Sequence, residues 1–231
     1  MDSNSPQEAH RALPARIGAV AGIGFVVLSV TSLGGPFFEQ ISTPTLLAWV
    51  KDNSKSVAIS GFTNVLAIML VAVLVYSLVA ISRGRGMLAV VAYAAMAATV
   101  AVDWVGAGVH FALADAAKRA GADSGIVALF SLAKMMTFTD GFTFGLAVIA
   151  ASLLCLRAHA LPAPIAWLGL VTGAFHLVST PIQLTFTGNA DGPTGPISVV
   201  LALLWVLSAS AALLMRRVPA FGGEPSTALS A

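Results

Sequence analysis

The segment "SLAKMMTFTDGFTFG", residues 131–145, places Lys134 and Asp140 inside a long apolar run. A second run, "VAVDWVGAGVHF", carries Asp103 and His110. An ionisable side chain at the centre of a bilayer costs about 2.5–3.5 kcal/mol on insertion scales, so such residues usually mark an ion, proton or substrate site. The chemistry open to these residue types is proton binding, recognition of a small molecule or general acid catalysis.

The spacing of these residues predicts which of them share a helix face. Asp103, Gly106 and His110 follow an i, i+3, i+7 pattern, so they lie on one face, where the small glycine admits another helix or leaves a cavity. Lys134 and Asp140 are about 120° apart around a helix, so each must find its main partner elsewhere.

Depth in the membrane suggests the pairings. In antiparallel spans, His110 and Lys134 fall in the outer half, and Asp103 and Asp140 fall near the middle. Two structural alternatives to a functional role of Lys134 remain open. In the first, Lys134 forms an ion pair with Asp103. In the second, its side chain extends to the outer surface.

Other polar residues stand at compatible depths in neighbouring spans. His176 taken alone is typical of a hydrogen bond between helices, yet the polar groups together predict a pocket open to the outside or to the outer leaflet. The candidate residues for binding a ligand or proton are Asp103, His110, Lys134, Asp140, His176, Asn64 and Gln183, with Asp103 and Asp140 as candidate catalytic acids.

Composition assigns the chain to a bilayer. Of its 231 residues, 58% are hydrophobic and only 10% are charged, whereas soluble domains carry about 25% charged residues. The formal net charge of +2 and the scattered basic residues do not suggest a nucleic-acid partner. The single cysteine, Cys155, excludes an internal disulfide framework, and no Cys/His spacing resembles a zinc site.

The positioning elements are apolar runs of about 20 residues or more, the length that crosses a bilayer as a helix. The sequence predicts an all-α bundle of six transmembrane helices, at about 17–33, 57–81, 87–116, 125–156, 164–184 and 196–215. Residues 16–217 form the membrane domain, 1–15 a cytoplasmic tail and 218–231 a disordered cytoplasmic tail.

Charge in the loops predicts the orientation. Seven arginines fall on one side of a six-span arrangement, which indicates cytoplasmic termini: Arg11, Arg16, Arg83, Arg85, Arg157, Arg216 and Arg217. The first external loop contains "STPTLLAWVKD". We expect a short interfacial helix there, capped by Thr43, started by Pro44 and anchored by Trp49.

Known cofactor patterns fit poorly. His110 and His176 stand at different heights, which disfavours haem ligation by both, and six spans do not suit a retinal Schiff base on Lys134. The sequence has no HExxH, no GxSxG with a following acid and histidine, and no cysteine pair. No metal or cofactor is expected.

The segment "LPAPIAWLGLVTGAFHLV", residues 161–178, resembles a recurrent segment of uncharacterised bacterial six-span integral membrane proteins. The segment "RIGAVAGIGFVV" and the long first external loop are also similar to that group. The resemblance implies a compact helical bundle in the bacterial cytoplasmic membrane. It carries over no catalytic residue.

Three functions remain open. The first is a protein that binds or moves a small molecule or a proton through an outward-facing polar pocket. The second is an intramembrane enzyme on a lipophilic substrate, of the isoprenoid cyclase or lipid-modifying type, with Asp103 or Asp140 as general acid. The third is a structural or regulatory subunit whose polar groups only hold helices together. The lipid bilayer is the one partner that the composition implies, and oligomeric state is not indicated.

Overall fold

The computed structural model describes residues 6–32, 42–186 and 194–215, and this part of the chain contains helices and no strand. Side chains are described there except for residues 6–12, 31, 32, 138, 183–186 and 194. The helices are α1 Pro6–Ser32, α2 Thr43–Asp52, α3 Ser54–Ile81, α4 Met87–Ala116, α5 Asp123–Arg157, α6 Ala163–Phe186 and α7 Thr194–Met215.

Six of these helices, all except α2, are long and apolar enough to cross a membrane. The predicted all-α fold with six spans is confirmed at this level. The segment after Met215, which contains the predicted disordered tail 218–231, and the segment between α6 and α7 lie outside the described residues.

Turns rich in glycine separate the long helices where the sequence predicts. The turn between α3 and α4 has positive φ angles at Arg83 (49°) and Gly86 (78°), and the turn before α5 has one at Gly121 (75°). Glycine adopts this left-handed region without the steric cost of a Cβ. The predicted bounds of α4, 87–116, are confirmed, whereas α1 begins at Pro6, inside the segment predicted as a tail.

The predicted cap of α2 is wrong by one residue. Ser42, with extended backbone angles, is the N-cap, and its hydroxyl accepts a hydrogen bond from the amide of Thr45 at 3.4 Å. Thr43 and Pro44 instead occupy the first turn. The amide of Leu46 donates to the carbonyl of Ser42 at 2.9 Å, so the helical ladder already starts at Ser42.

The six long helices form a closed ring in the order α1, α3, α4, α5, α6, α7, and α2 packs across one end of α3, α4 and α5. We call this the α2 end. Two apolar clusters fill the bundle. The larger one includes Val71, Val75 and Phe144, and the smaller one, which we call the end cluster, joins α2 to its neighbours through Leu46, Val50, Val57, Leu113, Ala114, Ile126 and Phe130.

Candidate functional site

The two aspartates meet at the contact between α4 and α5. The side chains of Asp103 and Asp140 lie within hydrogen-bonding reach of each other. Asp140 stands at the midpoint of the 35-residue α5, and Asp103 lies near the middle of the 30-residue α4. The prediction that both lie near the middle of their spans is therefore confirmed with respect to their helices.

A pair of threonines continues this contact away from the α2 end. The hydroxyl of Thr99 donates to the hydroxyl of Thr143 at 2.9 Å. Thr99 precedes Asp103 by four residues and Thr143 follows Asp140 by three, so each pair shares a face of its antiparallel helix. Sequence analysis missed the threonines, although this spacing from the aspartates is visible in the sequence.

Asn64 of α3 orients one of the two carboxyl groups. Its Nδ2 donates to Oδ1 of Asp103 at 2.6 Å. Oδ2 of Asp103 and Oδ1 of Asp140 are also buried, yet neither receives a hydrogen bond from any donor in the described part of the chain. Asp103 is only 8% exposed, so its carboxyl group is largely removed from bulk solvent.

A small cavity adjoins Asp103 on the side of the α2 end. Its volume is about 30 Å³, enough for roughly one or two water molecules. Three helices line it, with Gly61 and Asn64 from α3, Val102, Asp103, Gly106, Ala107 and His110 from α4, and Ala133, Met136 and Thr137 from α5. The predicted face of Asp103, Gly106 and His110 is thus confirmed, because all three residues line the same cavity.

The cavity lies in a polar layer between two apolar regions. We define the polar layer by Asn64, Asp103, His110, Thr137 and Asp140. On each helix, the residues at the same face are apolar toward the α2 end, where they belong to the end cluster. Away from that end, the layer adjoins the larger cluster, as at Phe144.

Two members of the polar layer are exposed although they lie on faces that pack inside the bundle. Asn64 falls on the stripe that also contains the buried Val57, Ile68 and Val71. Thr137 falls in the same way on the stripe of Ala133 and Phe144, which are 2% and 5% exposed. Residues at these spacings share a helix face, so the exposed surface belongs to a crevice beside the bundle core and not to the outer wall.

His110 lies at the wall of the cavity nearest the α2 end. Its Nδ1–H donates to the carbonyl of Gly106 at 2.8 Å. Gly61 of α3 makes room for the ring, because a Cβ on Gly61 would stand 2.6 Å from the Cβ of His110. Gly61 is not among the predicted site residues, because the spacing of residues along α3 does not show which side chain of α4 lies opposite it.

The predicted ion pair of Lys134 with Asp103 is wrong. The two ion pairs in the described part of the chain are Lys51–Asp123 and Arg119–Asp115. The Nζ of Lys134 lies 5.5 Å from the centre of the Phe130 ring, one turn toward the α2 end. Helical side chains lean toward the N-terminus of their own helix, which for α5 is away from Asp103.

The other two candidates are not part of the cavity lining. His176 is buried in α6, where its Nδ1–H donates to the carbonyl of Thr172 at 2.8 Å and its ring packs edge-on against Phe144, with centroids 5.2 Å apart. Gln183 lies within α6, but its side chain is outside the described residues.

The end cluster and an ion pair hold α2 over the three helices that carry the polar layer. Leu46 and Val50 of α2 are 6% and 0% exposed. Beside them, Nζ of Lys51 contacts Oδ1 of Asp123 at 2.7 Å, at the start of α5. The polar layer is therefore covered by α2 in the direction of the helix axes.

The donor set limits what this site can hold. Among residues 6–32, 42–186 and 194–215, no group of three or more His, Cys, Asp or Glu side chains is placed to hold a metal ion. The polar layer offers two carboxyl groups, an amide, a hydroxyl and the imidazole ring of His110. Comparisons with protein-family models, with curated proteins and with solved structures find no match to this chain.

Proposed function

We propose that this chain is a multi-pass membrane protein that binds a proton at the Asp103–Asp140 pair and exchanges it through the polar layer. The observation that carries the proposal is the pairing of the Asp103 and Asp140 carboxyl groups next to a cavity that Asp103 lines. Two unit charges about 4 Å apart repel by about 4 kcal/mol at an effective dielectric constant of about 20. A proton between the facing oxygens converts this repulsion into a hydrogen bond.

The orphan oxygens support the same function. Asn64 satisfies one oxygen of Asp103, whereas Oδ2 of Asp103 and Oδ1 of Asp140 lack a donor in the described part of the chain. Burying an unsatisfied carboxylate oxygen is costly, and a bound proton supplies the missing donor. The cavity next to Asp103 has room for the water that delivers it.

The cavity volume favours a proton over a lipid substrate. An intramembrane enzyme on an isoprenoid or another lipid requires a space that holds an apolar tail, whereas this cavity is about 30 Å³. A purely structural subunit requires no cavity beside its buried polar groups, whereas a cavity adjoins Asp103. The polar layer therefore supports proton binding better than either alternative.

We also propose how the protein is oriented in the membrane and in which membrane it lies. The arginines Arg83, Arg85 and Arg157 stand at the end opposite α2, and Gly18, close to Arg16, packs against Ser77 near that end. By the positive-inside rule this end faces the cytoplasm, so α2 lies on the outer surface and the cavity is reached from outside. The resemblance to bacterial six-span proteins favours the bacterial cytoplasmic membrane.

Infrared spectroscopy of the full chain in lipid tests the proposal. We expect a carbonyl band of protonated carboxyl groups that disappears as the pH is raised. The band should be absent from the double variant Asp103→Asn/Asp140→Asn and unchanged in Asp115→Asn, whose carboxylate pairs with Arg119 on the surface. A band that is the same in the wild type and in the double variant would refute proton binding at this pair.

A further inference from the structure

We propose that the end of the bundle opposite α2 binds the phosphate group of an anionic phospholipid between two turns. The first turn, residues 82–86, joins α3 to α4, and the second, residues 157–162, ends α5 and leads to α6. We call them the two basic turns, after four exposed side chains, Arg83, Arg85, Arg157 and His159. This surface is separate from the polar layer, so the proposal does not depend on proton binding.

The two basic turns share an uncommon backbone conformation. Arg83 and His159 have φ angles of 49° and 50°, and they are the two residues other than glycine with positive φ in the described part of the chain. A Cβ makes this left-handed region sterically costly, whereas glycine adopts it freely. The cost therefore occurs twice at one end of the bundle, each time for a side chain that can donate hydrogen bonds to an anion.

Both residues occupy the same position of the same helix-ending motif. At the end of α3, the amide that follows Arg83 donates back to the carbonyl of Val79 at 3.0 Å. At the end of α5, the amide that follows His159 donates back to the carbonyl of Cys155 at 2.9 Å. Glycine is the usual residue at the left-handed position of this Schellman motif. A cationic side chain there also gains from the helix dipole, which is a local effect that requires no ligand.

The two basic turns lie against each other. The hydroxyl of Ser82 and the thiol of Cys155 are 3.5 Å apart and form a buried hydrogen bond. A Cβ on Gly84 would stand 2.9 Å from Cδ1 of Leu154, so the first turn packs directly on the end of α5. The basic residues begin one and two positions after Ser82 and Cys155, so those of both turns belong to one area of the surface.

The described part of the chain offers these side chains no anionic partner. Its two ion pairs, Lys51–Asp123 and Arg119–Asp115, lie at the α2 end. Its other carboxyl groups belong to α2 and to the middle of α4 and α5, namely Asp52, Asp103 and Asp140. At about 1.5 Å per residue, the two mid-helix aspartates are about 25 Å along their helices from the basic turns.

The lengths of the helices place the two basic turns at the level of lipid phosphates. Helices α3 and α4 have 28 and 30 residues, which is about 42 and 45 Å at about 1.5 Å per residue. A bilayer is about 40–45 Å thick with its headgroup regions included. Met87, at the start of α4, and Trp167, in the second turn of α6, are 76% and 59% exposed beside these turns. Basic groups flanked by exposed apolar ones favour a phospholipid over a free anion.

The chemistry of the donors suits a phosphodiester. A guanidinium group donates two parallel hydrogen bonds to phosphate oxygens, and the imidazole N–H adds one more. Phosphatidylglycerol carries a net negative charge, whereas the choline ammonium of phosphatidylcholine offsets its phosphate. Basic surfaces at the ends of membrane helices bind anionic head groups in this way. We therefore expect selection for phospholipids with a net negative charge.

Native mass spectrometry of the full chain in a neutral detergent measures lipid binding directly. We expect phosphatidylglycerol to bind about tenfold or more tightly than phosphatidylcholine. Arg83→Gln and Arg157→Gln should each weaken this binding about fivefold, the effect of one basic residue near an anionic surface. Arg83→Lys should stay within about twofold of the wild type. Lys118→Gln removes the same charge from an exposed position at the α2 end and should bind as the wild type does.

Two soluble anions separate a lipid from a free phosphate. Glycerol phosphate has the charge of the head group without acyl chains, and inorganic phosphate has neither glycerol nor chains. We expect that neither displaces phosphatidylglycerol at equal concentration. Displacement by either one would overturn the assignment to a lipid, and so would equal binding of phosphatidylglycerol and phosphatidylcholine.

Glycine at the two left-handed positions separates lipid binding from the helix dipole. In neutral detergent, Arg83→Gly/His159→Gly should unfold at the temperature of the wild type or above it, because glycine removes the steric cost. Phosphatidylglycerol should raise the unfolding temperature of the wild type and of Lys118→Gln, but much less that of the double variant. If it raises all three equally, these side chains serve only the helix ends and the proposal is overturned.

Discussion

Asp103 of α4 meets Asp140 of α5 one helical turn from the hydrogen bond between Thr99 and Thr143. These four side chains form a polar ladder across one antiparallel helix contact, near the middle of both helices. The two threonines satisfy each other by this hydrogen bond, whereas Oδ2 of Asp103 and Oδ1 of Asp140 have no donor among the described side chains. The aspartate rung is therefore the one that can change its state.

The hydrogen bond from Asn64 should determine how replacements of Asp103 affect stability. Asp103→Asn keeps an acceptor for Nδ2 of Asn64, so we expect a change in the free energy of unfolding of about 1 kcal/mol or less. Asp103→Ala leaves the amide without its partner and should cost about 1–3 kcal/mol. Unfolding by a denaturing detergent, with refolding controls, measures both.

The variant Asn64→Ala provides the control for these two replacements of Asp103. In an Asn64→Ala background the amide is already absent, so Asp103→Ala and Asp103→Asn should differ by less than they do in the wild type. Equal costs of Asp103→Ala in the two backgrounds would show that the 2.6 Å contact does not contribute to stability.

Gly106 offers a way to fill the cavity without disturbing the helix contacts. A Cβ added at Gly106 meets no atom within 4 Å, and the same holds for Gly108 on the same helix, but only Gly106 lines the cavity. Gly106→Val should therefore slow exchange of the carboxyl protons with solvent, followed by infrared after transfer to deuterated buffer. Gly108→Val should leave the exchange unchanged.

Gly106 is buried and Gly108 is exposed, so valine should lower the stability of Gly106→Val more than that of Gly108→Val. Thermal unfolding of both variants in detergent separates this effect from the rate of exchange. If Gly106→Val and Gly108→Val exchange at the same rate, the cavity is not the route by which protons reach Asp103.

The contact of α5 with α6 depends on two glycines that touch through their backbones. A Cβ on Gly145 would stand 2.8 Å from the carbonyl oxygen of Gly173, and a Cβ on Gly173 would stand 2.6 Å from that of Gly145. Backbone atoms cannot move aside as a side-chain end can, so Gly145→Ala should destabilise the fold by about 1–3 kcal/mol or more. Thermal unfolding in detergent measures the change.

Gly125→Ala is the matched control on the same helix, since its Cβ would meet nothing within 4 Å. It should be neutral or stabilising by up to about 1 kcal/mol, because alanine favours the helix over glycine. A Gly145→Ala variant as stable as Gly125→Ala would contradict the close approach of α5 and α6.

The sequence predicts much of this fold because the bilayer and the turns constrain it strongly. Helix α4 has the predicted bounds, since a charged, glycine-rich turn and an apolar run of fixed length define both of its ends. The shared face of Asp103 and His110 is also predictable, because it depends only on spacing within one helix. The helical periodicity is therefore enough to predict which residues of one helix share a face.

Contacts between helices are predicted less well. The sequence leaves open an ion pair of Asp103 with Lys134, whereas the structure pairs Asp103 with Asp140 and Asn64. The side chain of Lys134 is directed toward Phe130, whereas Asp140 and Thr143 of the same helix face α4. Which face of α5 is turned toward α4 depends on packing between helices, which the spacing within one helix does not define.

The ion pair of Lys51 with Asp123 should control how readily α2 uncovers the polar layer. The two side chains are 43% and 56% exposed, so the pair contributes only about 0.2–1 kcal/mol to stability. That amount is small for folding but changes the population of a locally opened α2 by up to about fivefold. Reversing either charge, as Lys51→Glu or Asp123→Lys, should increase the opening, and the double exchange should restore the wild-type level.

A cysteine at the exposed Thr137 reports this opening. In a Cys155→Ala background, Thr137→Cys is labelled with a membrane-impermeant maleimide, and we expect single charge reversals to raise the labelling rate by about twofold to fivefold. High salt should raise the rate of the unreversed protein in the same direction, because screening weakens an exposed pair. Equal labelling rates in the single and double reversals would show that the Lys51–Asp123 pair does not control access, since the double exchange restores an ion pair that each single reversal lacks.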